Sequence, residues 1–177
     1  MVKALINIDM IKGNTLDIYN LKEIIYNQVK LIEAFNKHNL PIIVVTGKPN
    51  SNTNPVMLRL WGDEFANEPE KKELIPEIEN SKYSIIIEKT EYSAFFETGL
   101  EQYCRDNNID ELYFTGVYSG CCVYFSAVDA AYRKIQPYLV TDASTTEKQE
   151  LHDSNCEQFK SVIGPLIKTQ EVIEFLN

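Results

Sequence analysis

Cys122, Lys89 and Asp9 are the residues whose types and positions offer chemistry in this chain. Cys122 stands at the head of a helix-forming segment, where unpaired backbone N–H groups and the positive end of the helix dipole stabilise an anion. That placement lowers a thiol's pKa, and the thiolate is the nucleophile. The same N–H groups suit an oxyanion that forms in a tetrahedral intermediate. A nearby lysine favours thiolate and a carboxylate shuttles a proton, which gives Lys89 and Asp9 their roles in this reading. Imidazole is scarce: the two histidines, His38 and His152, lie far apart in sequence. A Ser–His or Cys–His dyad and a histidine-based metal site are therefore disfavoured. Each residue also has a plainer reading: Asp9 as a loop cap, Lys89 as a surface partner of Glu88 or Glu91, Cys122 as core. Spacing alone leaves both readings open.

The other thiols are Cys104, Cys121 and Cys156. Adjacent Cys121 and Cys122 form no C-x-x-C pair and the spacing matches no zinc pattern. Cys104 and Cys156 read as small buried apolar residues. A vicinal Cys121–Cys122 disulfide would be strained, so a redox role ranks last.

The elements that must position these groups follow from the apolar pattern. Strand-length runs recur at Ala4–Ile8, Pro41–Thr46, Ser84–Glu88, Glu111–Thr115 and Gln136–Thr141, with a short one near Pro165–Lys168. Several lack polar alternation, as in strands buried on both faces. Between them, Tyr19–Lys37 carries Leu21, Ile24, Ile25, Val29, Ile32 and Phe35 on one helical stripe. Thr98-Gly99-Leu100-Glu101 and Thr146-Glu147-Lys148-Gln149 read as capping boxes opening helices towards Asn107 and Val162. Cys122–Lys134 is a helix rich in small residues, and Thr169–Leu176 is the last helix. His38 reads as part of a solvated helix end and His152 as part of a polar helical stretch. Strand–helix alternation predicts a three-layer α/β/α sandwich with a mainly parallel sheet of about five or six strands. Reactive groups in such folds gather at the carboxyl ends of strands, where Asp9, Lys89 and the segment before Cys122 fall. No glycine-rich phosphate cradle follows the first strand, and Gly116 and Gly120 make no dinucleotide fingerprint. The long irregular stretch from Gly47 to Ile75 reads as a functional loop or a surface excursion.

Four segments in order carry a resemblance. Ala4-Leu5-Ile6-Asn7-Ile8-Asp9-Met10, the lysine segment from Glu88 to Leu100, Gly116-Val117-Tyr118-Ser119-Gly120-Cys121-Cys122-Val123 with Ser126-Ala127 and Asp129-Ala130, and Thr141-Asp142-Ala143-Ser144 together resemble the isochorismatase-like cysteine hydrolases, among them nicotinamidases and N-carbamoylsarcosine amidases. The resemblance implies an Asp9–Lys89–Cys122 triad, with Cys121 a neighbour. It also implies a non-proline cis peptide at Val117-Tyr118 and an oxyanion hole from the Tyr118 and Cys122 N–H groups. The activity implied is C–N hydrolysis of a small amide or ureido compound through a thioester. A metal-independent nicotinamidase-like amidase and a catalytically idle binding or scaffold homologue are the alternatives.

The segment after Asp9 departs from the family pattern, with Ile11, Lys12, Gly13 and Asn14 in place of its usual residues. Met10 and Ile11 are thus expected to shape the pocket, together with Trp61, Tyr92, Phe96, Tyr118 and Ser119. Ser93 is a second hydroxyl and Arg59 a remote partner for a substrate carboxylate. The loop after the second strand has no histidine, so no metal and no cofactor is expected.

The 177 residues suit one domain, residues 1–177. A net charge of −9 speaks against nucleic acid and anionic membrane surfaces. A cytoplasmic location is expected from the absence of a leader or spanning run. The resemblance further implies a homo-oligomer, a dimer or larger.

Overall fold

A computed structural model describes residues 1–49, 53–61 and 68–177. Six strands form one sheet: β1 (Val2–Ile8), β2 (Ile42–Gly47), β3 (Ile85–Lys89), β4 (Ile109–Val117), β5 (Gln136–Thr145) and β6 (Leu166–Ile167). Their order is β3-β2-β1-β4-β5-β6 and every pairing is parallel. The chain runs outward from β1 to β3 on one side and from β4 to β6 on the other. The switch point lies between β1 and β4, where crevices at the carboxyl ends of such sheets bind ligands.

Both faces are covered, so the three-layer α/β/α prediction holds. One face carries α1 (Leu21–Lys37), the short α3 (Pro76–Glu79) and α7 (Thr169–Leu176), packed on Leu5, Ile42, Val44, Tyr113 and Val140. The other carries α4 (Leu100–Asp106), α5 (Cys122–Tyr132) and α6 (Gln149–Val162), packed on Ala4, Ile6, Ile8, Ile43, Phe114 and Leu139. Alternate residues of β1 serve opposite cores, as the pleat requires. The Gly47–Ile75 stretch holds a further helix, α2 (Pro55–Trp61), and a 3₁₀ turn at Pro69–Lys72. No described helix is long and apolar enough to cross a membrane.

Polar groups explain where observed elements depart from the apolar pattern. β5 runs past Thr141 to Thr145 because its polar end is satisfied: Ser144 Oγ donates to Phe114 O at 3.3 Å and Thr145 Oγ1 to Tyr19 O at 3.0 Å. In α1, Asn27 and Gln28 are buried because they donate to Asp142 O and Ala143 O, anchoring the helix to β5. The expected capping box at Thr146 does not form. Lys148 is the N-cap of α6, and Thr146 Oγ1 donates to the Glu147 carboxylate. At α4, Thr98 Oγ1 accepts the Leu100 N–H at 3.2 Å, but Glu101 binds Arg133 and Arg105 in place of the cap backbone.

One glycine is needed for the sheet to close at the switch point. Gly116 has φ +111°, and a Cβ there would lie 2.1 Å from Ile8 O on the neighbouring strand. Gly116→Ala is expected to destabilise by about 3 kcal/mol or more, read as a lowered midpoint in urea. A loss under about 1 kcal/mol would show that β4 does not approach β1 this closely. Cys104 and Cys156 are pushed from the ordinary 9.0 up to about 12, chiefly by burial. Their folded pKa values are raised, so their share of stability is present below 9.0 and is lost as pH rises towards 12. Both thiols should stay silent to Ellman's reagent in the native protein at pH 8 and react on denaturation.

Candidate active site

Asp9 follows β1 in the left-handed region, φ 54°, a conformation aspartate tolerates better than most residues. Its N–H donates to Val45 O at 2.9 Å, and Ile11 N–H donates to Asp9 O at 2.8 Å. Lys89 ends the edge strand β3 and reaches across the end of β2. Gly47 stands at that crossing, where a Cβ would sit 3.5 Å from Asp9 Oδ1 and 3.9 Å from Lys89 Nζ. Any longer side chain would compete with the pair for space. The Lys89 ammonium donates to Asp9 Oδ2 at 2.8 Å, to Cys122 Sγ at 3.4 Å and to Glu91 O at 3.0 Å. An ammonium has three donors, and all are engaged. Asp9, Lys89 and Cys122 are 1, 2 and 5% exposed.

The Val117–Tyr118 peptide is cis. In the turn that follows, Ser119 N–H donates to Thr145 O, while Cys121 and Val123 N–H both donate to Tyr118 O. Cys122 is the first residue of α5, where an N–H has no acceptor within its own helix. The lysine segment is laced to this helix. Ser126 Oγ donates to Cys122 O at 2.6 Å and accepts the Ala94 N–H at 2.9 Å, and Ser93 Oγ donates to Asp129 Oδ2 at 2.5 Å. Ser126 and Asp129 of α5 thus fix Cys122 and the lysine segment relative to each other.

The electrostatics differ from the expectation of a depressed thiol pKa. The Cys121 hydrogen bond, burial and the Asp9 charge push the Cys122 thiol well above its ordinary value, against the opposing pull of Lys89. A helix terminus contributes only part of a charge, and the Cys121 hydrogen bond and burial outweigh it. Burial pulls the Lys89 ammonium down, but Asp9 and Cys122 outweigh it and its pKa is raised. The resting site is a thiol beside an ion pair.

Above these three opens a cavity of about 490 Å³, lined also by Asn14, Tyr92, Tyr118, Thr146, Glu147 and Asn155. Tyr92 and Tyr118 are where the sequence reading put them. Met10 and Ile11 are not: both are fully buried in the α1 core, because Asp9 turns the chain back under the sheet edge. Phe96 is 49% exposed and lines a separate groove with Met57 and Phe125. Ser119 is fully buried behind the nucleophile turn, 3.1 Å from His152 Nδ1 and 3.2 Å from Asn155 Nδ2. His152 is correspondingly buried, and burial lowers its pKa. Ser93 serves the α5 lacing, Arg59 is no part of the cavity wall, and the Trp61 side chain lies outside the described residues. Gly13 and Asn14, from the segment after Asp9 that was expected to shape the pocket, do line the cavity, whereas sequence reasoning missed Thr146, Glu147 and Asn155. Their one signal was position, beyond the carboxyl end of β5. Among the described residues, no three His, Cys, Asp or Glu side chains converge as a metal site requires.

An isochorismatase domain model matches residues 3–171. Enterobactin synthase component B of Escherichia coli (strain K12) is 25% identical over 155 residues, which make up 86% of this chain and 54% of that protein. The chain thus spans about half the length of that relative. The solved N-carbamoylsarcosine amidase of Thermoplasma acidophilum is similar at 27% identity and TM-score 0.82, over 96% of this chain and 97% of that one. A cysteine hydrolase from Pseudomonas syringae pv. phaseolicola 1448A matches at TM-score 0.89 and 18% identity, over 98% and 92%, a likeness of fold.

The charges around Cys122 predict opposite shifts in two variants. Asp9→Asn removes an anion that raises the thiol pKa, so iodoacetamide should alkylate Cys122 faster at a given pH. Lys89→Ala removes the cation that lowers it, so alkylation should slow. Mass spectrometry of the Cys122 peptide across pH 6–10 reads both, and shifts of the same sign would contradict this electrostatic arrangement.

Proposed function

From the premise that this chain belongs to the isochorismatase family of hydrolases, we propose that it cleaves a C–N bond of a small amide or ureido compound. The reading is carried by one observation: the Lys89 ammonium lies 2.8 Å from Asp9 Oδ2 and 3.4 Å from Cys122 Sγ, all buried at the cavity floor. In this reading Asp9 removes the Cys122 thiol proton as sulfur attacks the carbonyl carbon. The Tyr118 and Cys122 N–H groups receive the oxyanion. The tetrahedral intermediate collapses, the C–N bond breaks, and the proton on Asp9 passes to the departing nitrogen, which leaves as ammonia or amine. Water then attacks the thioester, giving its proton to Asp9. The C–S bond breaks, the acid or carbamate departs, and the proton returns to sulfur.

Several features support these roles. The Cys122 thiol is raised, so it needs a base, and Asp9 shares its ammonium partner. The cavity volume of about 490 Å³ suits a small molecule. The likeness to an N-carbamoylsarcosine amidase of nearly the same length favours amide and ureido chemistry.

Ammonia release from a panel of primary amides and ureido acids tests the reading. Turnover of at least one compound is expected, falling by about 10³-fold or more in Cys122→Ala and in Asp9→Asn. A thioester adduct on the Cys122 peptide should appear on acid quench. Full turnover in Cys122→Ala would overturn covalent catalysis by this thiol.

A further inference from the structure

Glu147 lines the cavity that holds Cys122, and the chemistry proposed above makes no use of it. We infer that Glu147 is a specificity-determining residue: the site takes an amide or ureido compound whose far end carries a protonated amine or guanidinium, and turns away one ending in a carboxylate. The inference deepens the hydrolase reading and rests on it for the identity of the reacting bond.

The argument begins with the charges that a ligand would meet. Among the described residues, the charged side chains lining the cavity are Asp9, Lys89 and Glu147. Lys89 is the single cation of that set, and its three hydrogens are taken by Asp9, Cys122 and Glu91 O. It has none left for a substrate anion. Nearby cations are engaged elsewhere: Lys12 pairs with Glu73 at 2.6 Å and Lys48 with Glu88. Lys148, next to Glu147 in sequence, is the α6 N-cap and does not line the cavity. Residues 50–52 and 62–67 contain no Lys, Arg or His. The Asp9–Lys89 pair is neutral as a unit, which leaves Glu147 as the uncompensated charge of the wall.

Two further observations point the same way. Asp9 Oδ1 is buried beside Gly47 with no hydrogen-bond partner, so the carboxylate adds no donor that could receive a ligand anion. The Tyr118 hydroxyl is pushed up to about 12, by burial first and then by the Glu147 charge, so the field of Glu147 reaches the cavity wall. Thr146 Oγ1 donates to the Glu147 carboxylate and orients it. Glu147 is exposed, so its charge is partly screened by water, but a ligand carboxylate beside it would still face a like charge with no cation of the wall to offset it. An ammonium or guanidinium would gain a partner. Glu147 works by rejection as much as by attraction, the usual way of separating ligands of equal size.

Protection of Cys122 from iodoacetamide reads binding without needing turnover. The probes are three amides of matched length: 4-aminobutanamide, butanamide and succinamate. In the wild-type protein 4-aminobutanamide should half-protect at about tenfold lower concentration than succinamate, with butanamide between. In Glu147→Gln the three values should converge, and in Glu147→Lys the order should invert. Equal protection by succinamate and 4-aminobutanamide in the wild type, protection by none of the three, or an order unchanged in Glu147→Gln would each overturn the inference. Ammonia assayed in the same incubations separates the two claims: charge-selective protection without ammonia release supports selection by Glu147 and counts against hydrolysis.

Discussion

The Lys89 ammonium sits in the protein interior and is shared between a carboxylate and a thiol. Taking two charges out of water costs several kcal/mol per ion, and attraction between them repays this only with good geometry and further hydrogen bonds. Lys89 meets both conditions, with Asp9 at 2.8 Å and the Glu91 carbonyl at 3.0 Å. Even so, replacing a buried ion pair by apolar residues of similar volume is often neutral or stabilising in proteins. Stability therefore does not account for an ion pair on the floor of an open cavity. The proposed chemistry would, and the surrounding structure is best understood as what holds this ammonium in place.

Three requirements follow from it. Lys89 and Asp9 stand on strands separated by β2, so the lysine must cross the end of that strand, and Gly47 leaves the room. Asp9 must leave β1 at an angle that presents its carboxylate to the ammonium, which its left-handed backbone provides. The thiol must come from the other side of the switch point, and Gly116 lets β4 run against Ile8 to deliver it. Lacing by Ser93, Ser126 and Asp129 then joins the lysine segment to the nucleophile helix. Asp9, Lys89 and Cys122 lie in three segments far apart in sequence. Only the parallel sheet, with all its carboxyl ends on one side, brings them together.

This explains what the sequence made legible and what it hid. The parallel three-layer sheet was readable because buried parallel strands leave continuous apolar runs, and Asp9, Lys89 and the turn before Cys122 follow or end such runs. Much of the wall of the cavity was not. Thr146, Glu147 and Asn155 come from a turn and a helix start whose path depends on packing, and Thr146 even presented the pattern of a helix cap. Met10 and Ile11 were misplaced for the same reason, since the turn at Asp9 drives them into the core. His152 looked like part of a polar surface helix because its partners, Ser119 and the Thr141 carbonyl, are remote in sequence. The thiol pKa was misjudged because a helix start is visible in sequence, whereas the hydrogen bond with Cys121 and the depth of burial are matters of tertiary structure.

That last point bears on how the site works. A resting thiolate beside Asp9 and Lys89 would leave one net negative charge in a space almost closed to water, and an uncompensated buried charge is costly. A resting thiol leaves none. In the proposed transfer the proton passes from Cys122 to Asp9 and the negative charge passes the opposite way, from the carboxylate to sulfur, while Lys89 stays a cation within reach of both. The three groups together are neutral before the transfer and neutral after it. The ammonium then needs no rearrangement at the moment of reaction, which is the condition under which fixed charges are most effective in catalysis. A raised thiol pKa accords with the proposed transfer, in which the proton stays on sulfur until a carbonyl group arrives whose oxygen takes up the charge.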